Sequence, residues 1–297
     1  MPIASPSPAR SNDTKKVSIT ECPRDAMQGI HRFIPTAVKA AYLRLLLGAG
    51  FERLDFGSFV SPKAIPQMRD TSEVLGMLDT AANATQLLAI VANARGAAEA
   101  VRHERVGVIG FPFSVSKTFQ QRNANSSIAH ALETVLQIVA ICHASGRIPL
   151  VYLSMGFGNP YGDEWGPAIV ADYTEKLVAL GVRHFALADT VGNSTPDLIA
   201  SLYPYISSAF PEIELGLHLH STAETGHEKL AAALDAGCTR FDTALRGFGG
   251  CPMAEDKLTG NIATETLLQL LDERGIETGL NHEAWAAALQ YSHEVFG

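Results

Sequence analysis

The sequence is poor in cysteine, and its few thiols lie far apart. Cys22, Cys142, Cys238 and Cys251 are the complete set among 297 residues, and no two of them form a Cys-x-x-Cys pair. A disulfide framework or a structural zinc knot is therefore not expected, and this cysteine usage fits a reducing cytoplasm.

Three further absences narrow the class of protein. Lys and Arg number 23 against 31 Asp and Glu, a net charge of −8, so the basic excess of a non-specific nucleic-acid binder is missing. No run of about 18 apolar residues is free of charge, which argues against a membrane span. Residues 1–15 are rich in Ser and Pro and show no apolar signal-like run, so we expect a flexible tail there. We accordingly expect neither a nucleic acid nor a membrane as a partner.

The sequence does contain eight short, apolar, β-branched runs that are typical of strands. In chain order they read VSITEC, RLDFGSF, LLAIVAN, RVGVIGF, PLVYLSM, HFALADT, ELGLHLHS and TRFDTAL. Segments with helical periodicity lie between most of them, and several of these segments end in a glycine, the usual helix C-cap: Gly50, Gly146, Gly181 and Gly237. Alternating strands and helices predict an α/β fold, a single (β/α)₈ TIM barrel over 16–297. The rival doubly wound sheet is disfavoured because no Gly-x-Gly-x-x-Gly follows the first strand.

A His-x-His sequence on the seventh predicted strand is the strongest local signal. Side chains alternate along a strand, so His218 and His220 point the same way while Leu219 faces the helices. Active sites of these barrels lie at the carboxyl ends of the strands. Asp25, after the first strand, adds a carboxylate oxygen, and Asn261 is a further candidate through its amide oxygen. Such mixed nitrogen and oxygen ligands suit Mg²⁺, Mn²⁺ or Co²⁺ better than structural Zn²⁺.

Two other groups lie near these candidate ligands. Arg24 precedes Asp25, and it is either a surface ion-pair residue or a fixed cation that stabilises an oxyanion or enolate. Cys251 follows Gly249 and Gly250 in a glycine-rich loop that is able to close over the barrel mouth. From the residues alone, a buried apolar role and a functional role for this thiol remain equally open.

Six blocks of sequence, taken together, resemble a known family. They read ECPRDAMQ, SFVSPKAIPQMRDTSEVL, LADTVGNSTP, LHLH, GFGGCPMAEDKLTGN and IATE, in order from about Thr20 to Gly279. This chain resembles the 3-hydroxy-3-methylglutaryl-CoA lyases, metal-dependent barrels that cleave that thioester to acetoacetate and acetyl-CoA. The SFVSPK and GGCP blocks are the most specific to the lyase branch.

The resemblance implies roles for particular residues. It assigns divalent-metal ligands to Asp25, His218, His220 and Asn261, catalytic roles to Arg24, Cys251, Asp189 and Asp55, and substrate contacts to Gln28, Ser58, Lys63, Gly249 and Gly250. The base that removes the hydroxyl proton stays open among Asp25, His218 and Asp189. An acyl-CoA substrate and a cytoplasmic homodimer are expected.

The chain departs from the family pattern at several positions. Asp55-Phe56-Gly57 stands where the family has Glu-Thr-Thr, and Ser221 replaces an aspartate after the second histidine. Met253 replaces a tyrosine, and a cysteine of the strand-five loop is missing around Gly158-Asn159-Pro160. We therefore expect an active lyase that acts on 3-hydroxy-3-methylglutaryl-CoA or on a close 3-hydroxyacyl-CoA.

Four alternatives stay open. Claisen-condensing synthases of the isopropylmalate and homocitrate type share the His-x-His motif, but they usually have a GERxGN-type loop where this chain has GGCP. A hydroxy-keto-acid aldolase is possible on the same scaffold. Metal-dependent hydrolase barrels place His-x-His on the first strand instead of the seventh. A non-catalytic metal-binding scaffold is disfavoured because the arginine, ligand and cysteine positions are all intact.

Overall fold

The eight predicted strands form a closed parallel barrel in the computed structural model, which describes residues 16–78, 84–250 and 259–297. The barrel strands are β1 (Ser18–Glu21), β2 (Arg53–Ser58), β3 (Gln86–Ile90), β4 (Val106–Ser114), β5 (Ile148–Ser154), β6 (His184–Ala188), β7 (Glu214–His218) and β9 (Arg240–Thr243). Each pairs with its neighbour in chain order, and β9 pairs with β1 to close the ring. The predicted (β/α)₈ barrel is confirmed.

Helices surround the barrel. They are α1 (Pro23–Gln28), α2 (Thr36–Ala49), α3 (Thr71–Gly76), α4 (Ala94–Ala100), α5 (Lys117–Ala124), α6 (Ile128–Ser145), α7 (Pro167–Ala179), α8 (Pro196–Ala209), α9 (Gly226–Asp235), α10 (Thr264–Glu273) and α11 (His282–Phe296). As predicted, α2 and α6 end at glycines in the left-handed conformation, Gly50 and Gly146, where a side chain would be strained.

A small antiparallel pair lies above the carboxyl end of the barrel. It joins β8 (His220–Ser221) to β10 (Gly260–Asn261), with Asn261 opposite His220. The predicted seventh strand is therefore split, because β7 ends at His218 and β8 begins two residues later. This pairing brings the segment that follows the glycine-rich loop back to the barrel mouth.

Inside the barrel the side chains change from apolar to charged along the axis. Leu88, Val108 and Leu150 fill the middle and are at most 1% exposed. At the amino end, Arg53 donates from Nη1 to Glu214 Oε1 at 2.8 Å. The opposite end holds the candidate catalytic residues, so the apolar layer separates two polar ends that do not touch.

The helix α6 is, among the described residues, the one helix long and apolar enough to cross a membrane by length and composition alone. It contains Glu133, and its buried side chains include Val135, Ile138 and Val139. It packs against β4, β5 and α4, as an outer helix of the barrel does. The predicted tail over 1–15, together with Cys251 and Met253, lies outside the described residues.

Candidate active site

Three candidate metal ligands meet at the carboxyl end of the barrel. Asp25 is on α1, directly after β1, while His218 ends β7 and His220 opens β8. Each offers one ligand atom, and these atoms lie within 4.8 Å of one another. Leu219, between the two histidines, is buried in the core outside the barrel. The fold thus brings these three predicted ligands together, and their spacing on the strand explains why both rings face one mouth.

The two imidazoles have different neighbours. The Nδ1 of His220 lies 3.1 Å from the Thr190 carbonyl oxygen, so it donates there, and its buried Nε2 has no hydrogen-bond partner among the described residues. The carboxylate of Asp242 lies behind His218, with 3.5 Å between Oδ2 and Nδ1. At this distance the carboxylate faces the ring without a hydrogen bond to it in the described part of the chain. Burial, followed by the nearby His218, lowers the pKa of His220 to about 4, which favours the neutral ring that a cation binds.

Asn261 completes the donor set. Its Nδ2 donates to Asp25 Oδ2 at 2.8 Å and to the Phe248 carbonyl oxygen at 2.9 Å, and its buried Oδ1 has no partner within residues 16–78, 84–250 and 259–297. Leaving a buried acceptor unpaired costs about 1–3 kcal/mol. The free Nε2 of His220, the free Oδ1 of Asn261 and the Asp25 carboxylate therefore fit a divalent cation, which would satisfy all three.

Arg24 is fixed between two carboxylates. Its Nε and Nη2 donate to Asp55, with 2.6 Å from Nη2 to Oδ2, and its Nη1 donates to Asp25 Oδ1 at 3.0 Å. Gln28 supports this arrangement by accepting from Arg24 Nη1 and donating to Asp25 Oδ1. These bonds use four of the five guanidinium N–H groups, and one on Nη2 is left for a substrate oxygen.

Burial and charge act in opposite directions on these groups. Burial raises the pKa of Asp55 to about 6, although the Arg24 guanidinium opposes this shift. Burial also works against ionisation of Asp25, but Arg24 and the two histidines outweigh it and lower the pKa of that carboxyl. Burial acts against the charge of Arg24, yet Asp55 and Asp25 raise its pKa above the usual value. Arg24 is therefore a permanent cation at the mouth.

The site opens into a cavity of about 240 Å³. Arg24, Asp25 and the two histidines form its polar end. Its remaining wall is largely apolar and includes Val60, Ile65, Ile90, Val91, Phe111 and Phe119. A polar head therefore has a fixed position beside Arg24, while the wall accommodates a less polar chain.

The glycine-rich loop packs closely on the metal-site residues. Gly249 has φ 105°, and a Cβ there would lie 3.1 Å from the backbone oxygen of Asp25 and closer still to the Asn261 amide. Only glycine fits this close approach. Gly250, also with positive φ, leads into Cys251, whose position lies outside the described residues.

Two predicted substrate contacts are not gathered at this cluster. The Ser58 hydroxyl accepts from the backbone N–H of Val60, and the residue lines a neighbouring cavity with Arg69 and Arg95. Lys63 is exposed in the loop after β2. Neither belongs to the wall of the cavity that Arg24 and Asp25 line, so their assigned contacts remain predictions.

Asp189 lies behind the site and not in its cavity. It is 1% exposed, and its Oδ2 accepts from the Ser194 hydroxyl and from the Lys229 ammonium. This Lys229 Nζ also donates to the His220 carbonyl oxygen at 2.8 Å and to the Gly192 carbonyl oxygen at 3.2 Å. The pair thus supports the backbone of His220, and the catalytic role predicted for Asp189 stays a prediction.

Sequence reasoning missed Lys229, although a signal exists. Lys229 is buried on α9 together with Gly226, Leu230 and Ala233, so a lysine occupies the face that the helical period turns inward. A lysine is almost never fully buried unless it is paired. The position of Lys229 on the buried face of the helix, eleven residues after His218, therefore predicts that this lysine contacts the site from within the core.

We expect Lys229→Met to weaken binding of the divalent ion about 10–100-fold, the usual cost of losing an outer support. The change frees the His220 carbonyl and leaves Asp189 without its cation. Mn²⁺ affinity measured by titration calorimetry tests this result, and the double variant Lys229→Met with Asp189→Asn removes the stranded charge if the single variant unfolds.

Lys39→Met is the matched control, because Lys39 is also buried and is paired with Asp70 at 2.7 Å, but it belongs to α2. It should lower stability and leave Mn²⁺ affinity unchanged. Equal Mn²⁺ affinity in the wild-type and Lys229→Met proteins would contradict the supporting role.

Glu21 is a second buried anchor that the sequence did not reveal. Its Oε1 accepts from the backbone N–H of Leu245 at 2.8 Å, and its Oε2 accepts from the Thr264 hydroxyl at 2.5 Å. Burial raises the pKa of Glu21 to about 8. The side chain ties β1 to both ends of the segment that includes the glycine-rich loop.

These features define the class of protein: a TIM-barrel enzyme with a candidate metal centre of imidazole, carboxylate and amide ligands at its carboxyl end. The HMGL-like family model matches residues 17–291. The chain belongs to the HMGL-like family and is an enzyme of this lyase family, as the motifs predicted.

Individual relatives agree with this assignment. The chain is 34% identical over 270 residues to the mitochondrial hydroxymethylglutaryl-CoA lyase of Mus musculus, covering 90% of this chain and 82% of that protein. It is 32% identical over 288 residues to the (R)-citramalyl-CoA lyase of Chloroflexus aurantiacus, covering 93% and 89%. The structure of an HMG-CoA lyase from Acinetobacter baumannii with coenzyme A and 3-methylmalate superposes with a TM-score of 0.88 at 29% identity, over 96% and 93% of the two chains.

Proposed function

We propose that the chain is a divalent-metal-dependent carbon–carbon lyase. Its substrate is 3-hydroxy-3-methylglutaryl-CoA or a close 3-hydroxyacyl-CoA, which it cleaves to acetyl-CoA and an oxo acid. The observation that carries this proposal is the position of Arg24 beside Asp25, His218 and His220 at one end of a largely apolar cavity. The ion is Mg²⁺ or Mn²⁺, with Co²⁺ as the third candidate, because its ligands are nitrogen and oxygen atoms.

The residues divide the reaction among them. When bound, the ion supplies Lewis-acid polarisation of the substrate's hydroxyl and carboxylate oxygens. Asp25 or His218 takes the hydroxyl proton, and the O–H electron pair becomes the new carbonyl bond. The bond between C2 and C3 breaks, and its electron pair becomes the enolate of the acetyl thioester. The free N–H on Nη2 of Arg24 stabilises that enolate oxygen.

The last proton comes from Cys251 in the proposed mechanism. Its S–H protonates the enolate carbon, giving acetyl-CoA and a thiolate that regains a proton after product release. Gly249, two residues before Cys251 in the sequence, packs closely on Asn261 and on the Asp25 backbone. Closure of this loop would exclude water from the enolate.

The acyl chain is the finer question. Asp55 is one methylene shorter than the family's glutamate, and it holds Arg24 through two donor atoms. The shorter side chain draws the Arg24 guanidinium toward β2, and this favours a substrate whose acyl chain differs in length. Citramalyl-CoA, the substrate named for one relative, is the second candidate because its C3 has the same hydroxyl with a carboxylate directly attached. A cytoplasmic homodimer acting on this thioester completes the proposal.

A panel of thioesters with product identification tests the function. Mn²⁺-loaded protein is incubated with 3-hydroxy-3-methylglutaryl-CoA, citramalyl-CoA and 3-hydroxybutyryl-CoA, and products are identified by mass spectrometry. We expect acetyl-CoA with acetoacetate or pyruvate from the first two and no cleavage of the third, which lacks the carboxylate for the ion.

The same assay separates the alternatives. Release of free CoA from acetyl-CoA and a 2-oxo acid would indicate a Claisen-condensing synthase, and cleavage of a hydroxy-keto acid without CoA would indicate an aldolase. Metal binding without turnover of any compound would indicate an inactive scaffold. Acetyl-CoA release that persists after the metal is stripped with EDTA would contradict the mechanism.

A further inference from the structure

A second group of donors lies beside the candidate catalytic metal site and shares one histidine with it. Cys22, His218 and Asp242 each offer one ligand atom, and these atoms lie within 4.8 Å of one another. They follow or belong to three strands that are neighbours in the barrel, β1, β9 and β7. All three residues are buried, and none of the roles assigned above uses the Cys22 thiol.

Asp242 shows that this group is incomplete as it stands. Its side chain is 0% exposed, and neither carboxylate oxygen has a hydrogen-bond partner within the described part of the chain. The Nδ1 of His218, at 3.5 Å from Oδ2, is likewise without a hydrogen bond, as is the nearby Thr20 hydroxyl. A buried carboxylate is costly unless it is paired or coordinates a cation, and this one faces a thiol and an imidazole.

The chemistry of the donors selects the kind of cation. A cysteine thiolate is a ligand for Zn²⁺ and Cd²⁺, whereas Mg²⁺ and Mn²⁺ do not favour sulfur. A thiolate and a carboxylate together neutralise a divalent charge, and one further position remains for water. The site formed by Asp25, His218 and His220 contains no sulfur, so the two sites prefer different metals.

We propose that Cys22, His218 and Asp242 form an inhibitory site for a thiophilic divalent cation such as Zn²⁺ or Cd²⁺. The Cys22 S–H, which donates to the Thr20 carbonyl oxygen at 3.7 Å, loses its proton to solvent as the sulfur–metal bond forms. His218 offers the lone pair of Nδ1, and its single ring proton moves to Nε2. One cation enters and one proton leaves.

This tautomer change makes the two sites mutually exclusive. A neutral imidazole has one nitrogen lone pair available to a metal. When His218 carries its proton on Nε2, it therefore no longer binds the ion at the site of Asp25 and His220. Inhibition follows from displacement of the catalytic ion, and that consequence rests on the proposed function. Binding of the thiophilic cation itself does not.

Cadmium titration tests the proposal without an activity assay. The full chain with Cys251→Ser, which removes the loop thiol, is stripped of metal and titrated with Cd²⁺ while the thiolate-to-cadmium absorption is followed in the ultraviolet. We expect a band that saturates at one Cd²⁺ per chain, is lost on adding Cys22→Ser, and persists on adding Cys142→Ser, the matched buried thiol. In a parallel Cd²⁺ titration of the Mn²⁺-loaded protein, electron paramagnetic resonance should show Mn²⁺ released as the band grows.

Two results would overturn the proposal: no band in the Cys251→Ser protein, or a band that Cys22→Ser leaves intact. Full Mn²⁺ occupancy alongside a saturated band would overturn mutual exclusion. Circular dichroism verifies that each variant is folded. If the chain cleaves no thioester, the band is still expected, so failure of the proposed function is distinguishable from failure of this site.

Discussion

Arg24→Gln is expected to lower kcat about 10²–10³-fold, the usual cost of removing a donor that stabilises an oxyanion. Arg24 has one N–H of Nη2 left for substrate, while Asp55, Asp25 and Gln28 hold the others. The enolate oxygen carries more negative charge than the substrate's carbonyl oxygen, so the loss falls on kcat more than on KM. Steady-state kinetics with the best substrate of the panel measure both values.

Arg24→Gln leaves the Asp55 carboxylate without its cation, which lowers stability. A second substitution at Asp55 separates this effect from the effect on catalysis. Without Arg24, Asp55 is buried beside Asp25 with no cation, and breaking a buried pair costs about 3–5 kcal/mol. Arg24→Gln with Asp55→Asn should recover stability in thermal unfolding while kcat stays low. Recovery of kcat together with stability would show that Arg24 acts only on the fold.

Arg53→Gln is the matched control for Arg24. Arg53 is also a buried arginine of the barrel interior paired with a carboxylate, Glu214, but it lies at the amino end, beyond the apolar layer. We expect lower stability with kcat unchanged. A comparable fall in kcat would mean that any break in the interior charges disturbs the site.

His220→Ala is expected to lower affinity for the divalent ion more than about 100-fold, beyond the usual effect of losing an outer support, and to abolish measurable turnover. The variant removes the Nε2 whose lone pair has no partner in the part of the chain that the structure describes. Elemental analysis after desalting should find little metal where the wild-type protein retains it. Excess Mn²⁺ should restore part of the occupancy but little activity, because the substrate then meets a misplaced ion.

His184→Ala provides the comparison for His220. His184 lies on β6 and contacts Glu214 at 3.3 Å at the amino end of the barrel. Its loss should leave metal content unchanged. Full metal occupancy in His220→Ala would exclude His220 as a ligand and would leave the site with one imidazole.

The fold could be predicted because its signals are local. Each strand is a short β-branched run, and glycines such as Gly50 end helices where the left-handed conformation excludes other residues. The meeting of Asp25, His218 and His220 followed from strand alternation and from the rule that barrel sites lie at carboxyl ends. No long-range contact had to be known for either inference.

The supports of the site could not be predicted in the same way. Lys229 reaches Asp189 across 40 residues, and Glu21 reaches Leu245 across 224. Whether a polar side chain is a ligand, a support or a surface group depends on which distant partner it meets. The substrate contact predicted for Ser58 stays a prediction, and the structure adds that its hydroxyl accepts from the backbone N–H of Val60.

The sequence by itself determined the barrel, the family and the identity of the candidate ligands, because period-2 alternation and short motifs are local properties of the chain. Only the tertiary structure decided which atoms are free to bind. Pairing of β9 with β7 places Asp242 beside His218, and pairing of β8 with β10 brings Asn261 onto Asp25. Hydrogen bonds then take some donors and acceptors and leave others unpaired, and that division exists only when the ring is closed.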